Sequence, residues 1–152
     1  PMYNDDRAVS ITVGYVLNFA IATVLFSALL IGGSGLIESQ TRTVTQDELS
    51  VTGQQLASEL SSADRLVRAG GKSDLSELRL QVELPHRTAA GSYAIDIKHN
   101  DGEGIIELRS TSPEVVAEVP FRSETDVLNT TVNAGSVVIE HDNEDGLEVT
   151  SA

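Results

Sequence analysis

The stretch of sequence that decides the fold is AVSITVGYVLNFAIATVLFSALLIGGSGLI, residues 8–37, which contains no charged side chain. A helix of about 20 apolar residues crosses the hydrocarbon core of a bilayer, so this run is long enough to span a membrane. A removable secretory signal carries only about 7–15 apolar residues, and this run is longer. We therefore predict that residues 9–37 form a hydrophobic helix, behind a polar leader at residues 1–8. The helix crosses a membrane or packs against other copies of itself.

Large apolar side chains dominate this helix, and a few small or polar residues interrupt them. Gly14 and Asn18 favour close packing between membrane helices, because lipid provides no hydrophobic drive for helix association. Asn18 is equally consistent with a polar residue that bonds to its own helix. The sequence GGSG at residues 32–35 predicts a flexible or locally unwound point, since each glycine costs a helix about 1 kcal/mol. The residues that we assign to the membrane or filament helix are Val13, Gly14, Tyr15, Val16, Leu17, Phe19, Val24, Leu25, Phe26, Leu29, Leu30 and Ile31.

A second helical pattern occupies residues 38–71. Its apolar residues fall into two interleaved series, each with a spacing of seven, and together they draw one narrow apolar stripe along the helix. The other faces carry polar residues, Asp64 among them. Gly70 and Gly71 predict the end of the helix. The stripe residues that we expect to pack on the following domain are Leu49, Leu56, Leu60 and Val67.

Residues 72–152 change to an alternation of apolar and polar residues, which is typical of half-buried strands. Residues 78–84 alternate in this way up to Pro85, and residues 101–104 (DGEG) predict a hairpin turn between two further strands. The other predicted strands are residues 115–121, 127–132, 137–141 and 147–150. Five to seven short strands with one apolar face each predict an antiparallel sheet or a small sandwich. The fold class is therefore α+β, with the stripe of the second helix as the lid of the β-rich domain.

The composition excludes several classes of function. The chain of 152 residues has a net charge of −13 and contains no cysteine. So acidic a protein repels nucleic acid and anionic lipid, and we predict no nucleic-acid partner. The absence of thiols excludes cysteine nucleophiles, zinc–cysteine sites and iron–sulfur clusters. Two interpretations of the acidic surface stay open: adaptation to high salt, which screens the repulsion, and an acidic face that binds cations.

No residue pattern predicts catalysis, a cofactor or a metal centre. His86, His99 and His141 are far apart in the sequence and are expected to be exposed residues at turns and strand ends. The acidic turns at residues 101–103 and 142–146 do not match an EF-hand loop and are read as hairpin turns. Neither a Gly-x-Ser-x-Gly elbow next to a strand nor a phosphate-binding glycine loop is present. The sequence thus indicates a protein that is not an enzyme.

One modification signal stands out in the β-rich domain. Asn129, Thr130 and Thr131 form an N-x-[ST] triplet without proline. In an exported chain this triplet predicts an N-glycosylation acceptor at Asn129.

Most of the chain, from the leader through both helical segments into the β-rich domain, resembles a known family. RAVSITVGYVLNFAIATVLFSALL, residues 7–30, resembles the N-terminus of haloarchaeal type IV pilin-like proteins, which carry class III signal peptides. The similarity continues in ADRLVRAGGKSDLSELRLQVELPHRTAAGSYAIDI, residues 63–97. The resemblance implies that a membrane prepilin peptidase recognises Arg7 and Ala8 on the cytoplasmic side and cleaves before Val9. Val13 stands where bacterial pilins usually carry a glutamate, a departure that archaeal relatives share.

The resemblance implies a major or minor subunit of a pilus-like surface filament. Such a chain is inserted in the cell membrane before assembly, associates with copies of itself through the apolar helix, and depends on a pilus assembly machinery. An adhesive role at the cell surface is part of the same expectation. The alternative is a single-pass, membrane-anchored extracellular β-domain that acts as a binding or envelope-accessory module, in which the helix serves only as a tether.

Overall fold

The computed structural model describes the backbone of residues 3–74, 78–142 and 145–152, and the side chains of residues 6–70, 78–141 and 145–152. Pro1 and Met2 of the predicted leader, and Asn143 and Glu144 of the second acidic turn, lie outside the described residues. Within the described residues, one long helix is followed by two antiparallel sheets, which confirms the α+β class. The chain divides after Ser39 into two compact units, and we call the second, Gln40–Ala152, the head unit.

Helix α1 runs over Tyr3–Asp74. Residues 32–35 are helical, so the predicted unwinding at GGSG is wrong. Propensity is a weak determinant inside a long helix, because each residue that is added between helical neighbours gains a hydrogen bond without a new nucleation cost. Gly70 and Gly71 do not end the helix either, since it continues to Asp74. The predicted cleavage position before Val9 also lies inside α1.

Seven strands follow the helix in the part of the chain that the structure describes. They are β1 Leu78–Val82, β2 Tyr93–Asn100, β3 Glu103–Thr111, β4 Glu114–Arg122, β5 Thr130–Asn133, β6 Val137–Asp142 and β7 Gly146–Ser151. One sheet has the order β1-β6-β7 and the other β4-β3-β2-β5, and all their pairs are antiparallel. The predicted hairpin joins β2 to β3, with Asn100 opposite Glu103. Its two turn residues have positive φ, 50° at Asp101 and 84° at Gly102, as a type I′ turn requires.

Two predicted strand boundaries differ from the structure. β1 ends at Val82, before the predicted end next to Pro85. β5 begins at Thr130, whereas Val127 forms only an isolated parallel bridge with Leu147. The short β5 still completes the four-stranded sheet, because it pairs with residues 94–97 of β2.

The core of the head unit lies between the helix stripe and the two sheets. Leu49, Leu56 and Leu60 are fully buried, in agreement with the seven-residue spacing, and they share one apolar cluster with residues of both sheets. Gly53 lies where the helix packs directly against side chains of β3 and β4. A Cβ atom at this position would be 2.6 Å from Val119 Cγ2 and 2.7 Å from Leu108 Cδ1. The helix is therefore a tightly fitted layer of the head unit.

Candidate functional site

The most extensive exposed apolar surface among the described residues is that of residues 8–37. The large apolar side chains of this segment are between 49% and 76% exposed, and they point to all sides of the helix. Among the described residues, α1 is the one helix that is long and apolar enough to cross a membrane. The residues that we assigned to the membrane or filament helix lie on this surface, namely Val13, Gly14, Tyr15, Val16, Leu17, Phe19, Val24, Leu25, Phe26, Leu29, Leu30 and Ile31.

Most hydroxyl groups in this segment are bonded to the helix itself. Thr12 Oγ1 donates to the carbonyl oxygen of Ala8 at 2.9 Å, and Thr23 Oγ1 donates to that of Phe19 at 2.8 Å. Ser27 and Ser34 make equivalent bonds to carbonyl oxygens three or four residues earlier. Such bonds remove the cost of placing a hydroxyl in an apolar environment.

The predicted processing residues occupy one turn of α1. Arg7, Ala8 and Val9 are all exposed and helical. A peptidase must reach the peptide bond between Ala8 and Val9, and in a helix the neighbouring turns shield that bond. Cleavage at this position therefore requires the turn to unwind locally.

The head unit contains a buried polar junction that the sequence did not reveal. Asp64 is only 4% exposed, and its Oδ1 accepts a hydrogen bond of 2.8 Å from the backbone N–H of Thr125. Its Oδ2 lies 3.2 Å from Arg68 Nε, and Arg68 Nη1 lies 3.0 Å from Glu124 Oε2. Burial raises the pKa of the Asp64 carboxyl, but the hydrogen bonds from Thr125 and the charge of Arg68 outweigh burial and lower it. The junction attaches the helix to the loop after β4.

Within the head unit, three further hydrogen bonds connect the helix and β2 to the loop after β1. Glu48 Oε2 accepts a hydrogen bond of 2.7 Å from the N–H of Ala89, and Gln55 Nε2 donates to the carbonyl oxygen of Glu83 at 3.3 Å. The buried Tyr93 donates its hydroxyl to the carbonyl oxygen of Pro85 at 2.5 Å. Burial raises the pKa of this phenol above its ordinary value.

His99 and His141 lie at strand ends, as predicted, but the predicted exposure is wrong for these two residues. Both are half-buried and lie within strands, whereas His86 is exposed. The His99 ring stacks on Phe121 with a centroid distance of 5.8 Å. Its Nδ1 accepts from the N–H of Val127 at 3.3 Å, and its Nε2 lies 3.2 Å from the carbonyl oxygen of Ser123. Both ring nitrogens of His99 are therefore in contact with backbone groups of the head unit.

A groove of about 1170 Å³ runs beside this histidine. Its charged residues are partly neutralised, since Arg122 Nη2 lies 3.3 Å from Glu103 Oε1 and Lys98 Nζ lies 3.7 Å from Glu107 Oε2. Among the described residues, no group of three or more His, Asp and Glu side chains is arranged to hold a metal ion. The residues that line the groove include Ala57, Ser58, Ser61, His99, Ile105, Pro120, Phe121 and Asn129.

The predicted glycosylation residue lies at this groove. Asn129 is exposed, and its Oδ1 accepts a hydrogen bond of 2.7 Å from the N–H of His99. Its Nδ2, the atom to which a glycan is attached, is not used in that bond. The hydroxyl of Thr131, the third residue of the triplet, donates to Asp96 Oδ1 at 2.5 Å. The geometry thus leaves the Asn129 Nδ2 atom available at the surface of the head unit.

The sequence matches a family described as DUF7266, a family of unknown function, over residues 4–152. The chain belongs to the DUF7266 family. No curated protein and no solved structure matches it. The DUF7266 match covers the apolar segment and the head unit together, so both are parts of one family architecture.

The predicted packing residues and the missed ones lie on the same helix face. Leu49, Leu56 and Leu60 are fully buried, and Val67 is half-buried against the same cluster. Asp64 lies beside this stripe, four residues after Leu60, and its position next to the stripe was the one signal for its burial. Its partner Thr125 is too distant in the sequence for a local pattern to reveal the pair.

Proposed function

We propose that this chain is a subunit, major or minor, of an archaeal type IV pilus-like surface filament. One observation carries the proposal. The apolar side chains of residues 8–37 are exposed on all sides of the helix, whereas the head unit buries its own apolar stripe in its own core. A segment of this kind needs an apolar environment to cover it.

Two environments can cover the apolar segment in succession. In the membrane, lipid covers it, and every backbone group of the segment is bonded within the helix, as a bilayer requires. In a filament, the equivalent helices of other copies cover it, and each Å² of apolar surface removed from water contributes about 25 cal/mol. The same side chains therefore support insertion first and bundling later.

The head unit suits the outside of such a filament. The chain has a net charge of −13, and all its acids except Asp5 and Asp6 follow the apolar segment. Acidic heads in solvent keep filaments apart from one another through charge repulsion. By the resemblance of residues 7–30, a prepilin peptidase would cleave before Val9, and an assembly machinery would move the chain from the membrane to the cell surface.

A second candidate function is a membrane-anchored binding module. The groove beside His99 favours it, because it combines the apolar residues Ile105 and Pro120 with charged residues at its rim. In this case the helix serves as a tether and the protein stays in the membrane as single copies.

Shearing of the cell surface separates the two candidates. We expect the sheared material to contain filaments by electron microscopy, and mass spectrometry of these filaments to find this chain with Val9 at its N-terminus. The double variant Arg7→Glu, Ala8→Glu should leave a heavier precursor in the membrane and remove the chain from the filaments. The matched control is the double variant Arg42→Glu, Thr43→Glu, which makes the same charge change at two adjacent exposed residues away from the cleavage position. Recovery of the wild-type chain from membranes alone would refute the filament and favour the tether.

A further inference from the structure

Asn18 is chemically unlike its neighbours in the apolar segment. It carries the only carboxamide of residues 8–37. The hydroxyls of Thr12, Thr23 and Ser27 donate to carbonyl oxygens of the same helix. The Asn18 side chain makes no such bond within the part of the chain that the structure describes, and it is exposed. Its oxygen acceptor and its two N–H donors therefore have no partner among the residues that the structure describes.

The depth of Asn18 makes this lack of a partner costly in a membrane. Ten residues separate it from Ala8 and 19 from Ile37, which corresponds to about 15 Å and about 29 Å along the helix axis. The side chain is too short to reach water over such a distance. An amide without hydrogen bonds costs several kcal/mol in an apolar medium, so a partner at the same depth is strongly favoured.

A second copy of the chain offers that partner at that depth. Copies of one protein enter a membrane in the same orientation, so their Asn18 residues lie at equal depth. A carboxamide is self-complementary, because it carries both donors and an acceptor. The residues four positions away on either side, Gly14 and Ala22, are small, and a Cβ atom placed on Gly14 would meet nothing within 4 Å. A second helix can therefore approach this face closely.

We propose that Asn18 hydrogen-bonds to Asn18 of a second copy in the membrane, and that the face of Gly14, Asn18 and Ala22 is the contact between the copies. The inference rests on the proposed function, since it names the contact from which bundling of the helices starts. Asn18 is thus the residue that selects one face of an otherwise uniformly apolar helix.

The absence of native cysteine allows a direct test by cross-linking of the full chain. Ala22→Cys places a thiol on the proposed face, and Ala20→Cys places one on the opposite side, about 200° away around the helix axis. Membranes are stripped of filaments by shearing and then oxidised. We expect Ala22→Cys to form disulfide-linked dimers at least tenfold more efficiently than Ala20→Cys. Equal cross-linking of the two variants would overturn the proposed face.

Variants of Asn18 test the hydrogen bond itself. In the Ala22→Cys background, Asn18→Leu should lower the cross-linked fraction about tenfold, and Asn18→Gln, which keeps the carboxamide, should retain most of it. Energy transfer between fluorescently labelled full chains in liposomes measures the same association without a disulfide, and Asn18→Leu should weaken it about tenfold. Unchanged association in Asn18→Leu would overturn the inference. Filaments are scored separately: filaments without an Asn18 effect would refute the inference alone, and an Asn18-dependent dimer without filaments would refute the proposed function alone.

Discussion

Residues 8–37 and residues 40–70 belong to the same helix and have opposite side-chain environments. In the first segment, large apolar residues such as Phe19 are up to 76% exposed, and they occur on all sides. In the second, apolar residues form one stripe, and Leu49, Leu56 and Leu60 of this stripe are fully buried. Backbone conformation does not distinguish the two segments. The distribution of apolar side chains around the helix does, and it determines whether the covering layer is the chain's own sheets or another apolar environment.

A carboxylate introduced into each segment should give the largest difference between the two segments in its effect on the stability of the head unit. Leu56→Asp buries an unpaired charge against the sheets, which costs several kcal/mol, and the head should lose its cooperative melting and its protease resistance. Leu29→Asp is the matched control, since Leu29 is 72% exposed. It should leave the melting of the head unchanged in detergent, while insertion of the chain into membranes falls. Normal melting of Leu56→Asp would show that burial of the stripe does not stabilise the head unit.

The Asp64 junction should contribute the next largest effect. Asp64→Ala removes the acceptor for the Thr125 N–H and the partner of Arg68, and we expect a loss of about 1–3 kcal/mol in the free energy of unfolding. Asp64→Asn keeps a hydrogen-bond acceptor but loses the charge. Its free energy of unfolding should therefore lie between those of the wild type and Asp64→Ala. Chemical denaturation of the three proteins measures the series. Equal stability of Asp64→Ala and the wild type would contradict the role of the junction.

The same junction predicts a dependence on pH with a defined sign. The pKa of Asp64 is lower in the folded protein than its ordinary value, which is about 3.9 in an unfolded chain. The carboxylate therefore stabilises the head above the unfolded pKa, and this contribution is lost as the pH falls through the lowered folded pKa. Acid titration of the melting temperature should show this loss in the wild type and a smaller one in Asp64→Asn. The same fall in melting temperature with pH in the wild type and Asp64→Asn would contradict the role of the Asp64 carboxylate.

Alanine in place of glycine should have opposite consequences in the two segments. Gly53→Ala gains up to about 1 kcal/mol of helix propensity, but its Cβ would lie 2.6 Å from Val119 Cγ2. Overpacking of this kind costs about 1–3 kcal/mol, so the head should be destabilised. Gly33→Ala meets nothing within 4 Å and should leave the melting of the head unchanged. A stabilised Gly53→Ala head would mean that the helix lies farther from β3 and β4.

A single buried hydroxyl should give the smallest effect. Thr45 is fully buried, and its Oγ1 has no hydrogen-bond partner. Thr45→Val keeps the shape without the hydroxyl and should raise the free energy of unfolding by about 1 kcal/mol. Thr45→Ser keeps the hydroxyl and loses the methyl group, so it should lower stability. Thr23→Val, in the apolar segment, should not change the head at all. A destabilised Thr45→Val would indicate a partner for the hydroxyl.

Sequence patterns predicted the parts of the fold that depend on periodicity. The spacing of Leu49, Leu56 and Leu60 indicated their burial, and the alternation on both sides of Asp101 and Gly102 indicated the β2–β3 hairpin. Patterns failed where the outcome depends on residues that are distant in the sequence. The burial of Asp64 depends on Thr125, and the placement of His99 depends on Ser123 and Val127. The helical conformation of GGSG shows a related limit, since cooperativity with the flanking turns outweighs local propensity.

The sequence predicted only part of what the structure shows for residues 8–37 and Asn18. Hydropathy predicted the segment, but not which of its polar groups bond to the helix itself. The structure separates Asn18 from Thr12, Thr23, Ser27 and Ser34, whose hydroxyls all donate to carbonyl oxygens. That separation depends on side-chain length, because a hydroxyl on Cβ reaches the preceding turn more readily than a carboxamide does.

Alkaline extraction of membranes tests most directly whether the two helix segments require different environments. Cells that produce the full chain are compared with cells that produce Gln40–Ala152 alone, and the fraction that stays with the membrane is measured. We expect the full chain to stay in the membrane pellet with a protease-resistant head, and Gln40–Ala152 to remain in the supernatant with the same melting temperature as the head of the full chain. Release of the full chain as a monomer, or an unfolded Gln40–Ala152, would contradict the account.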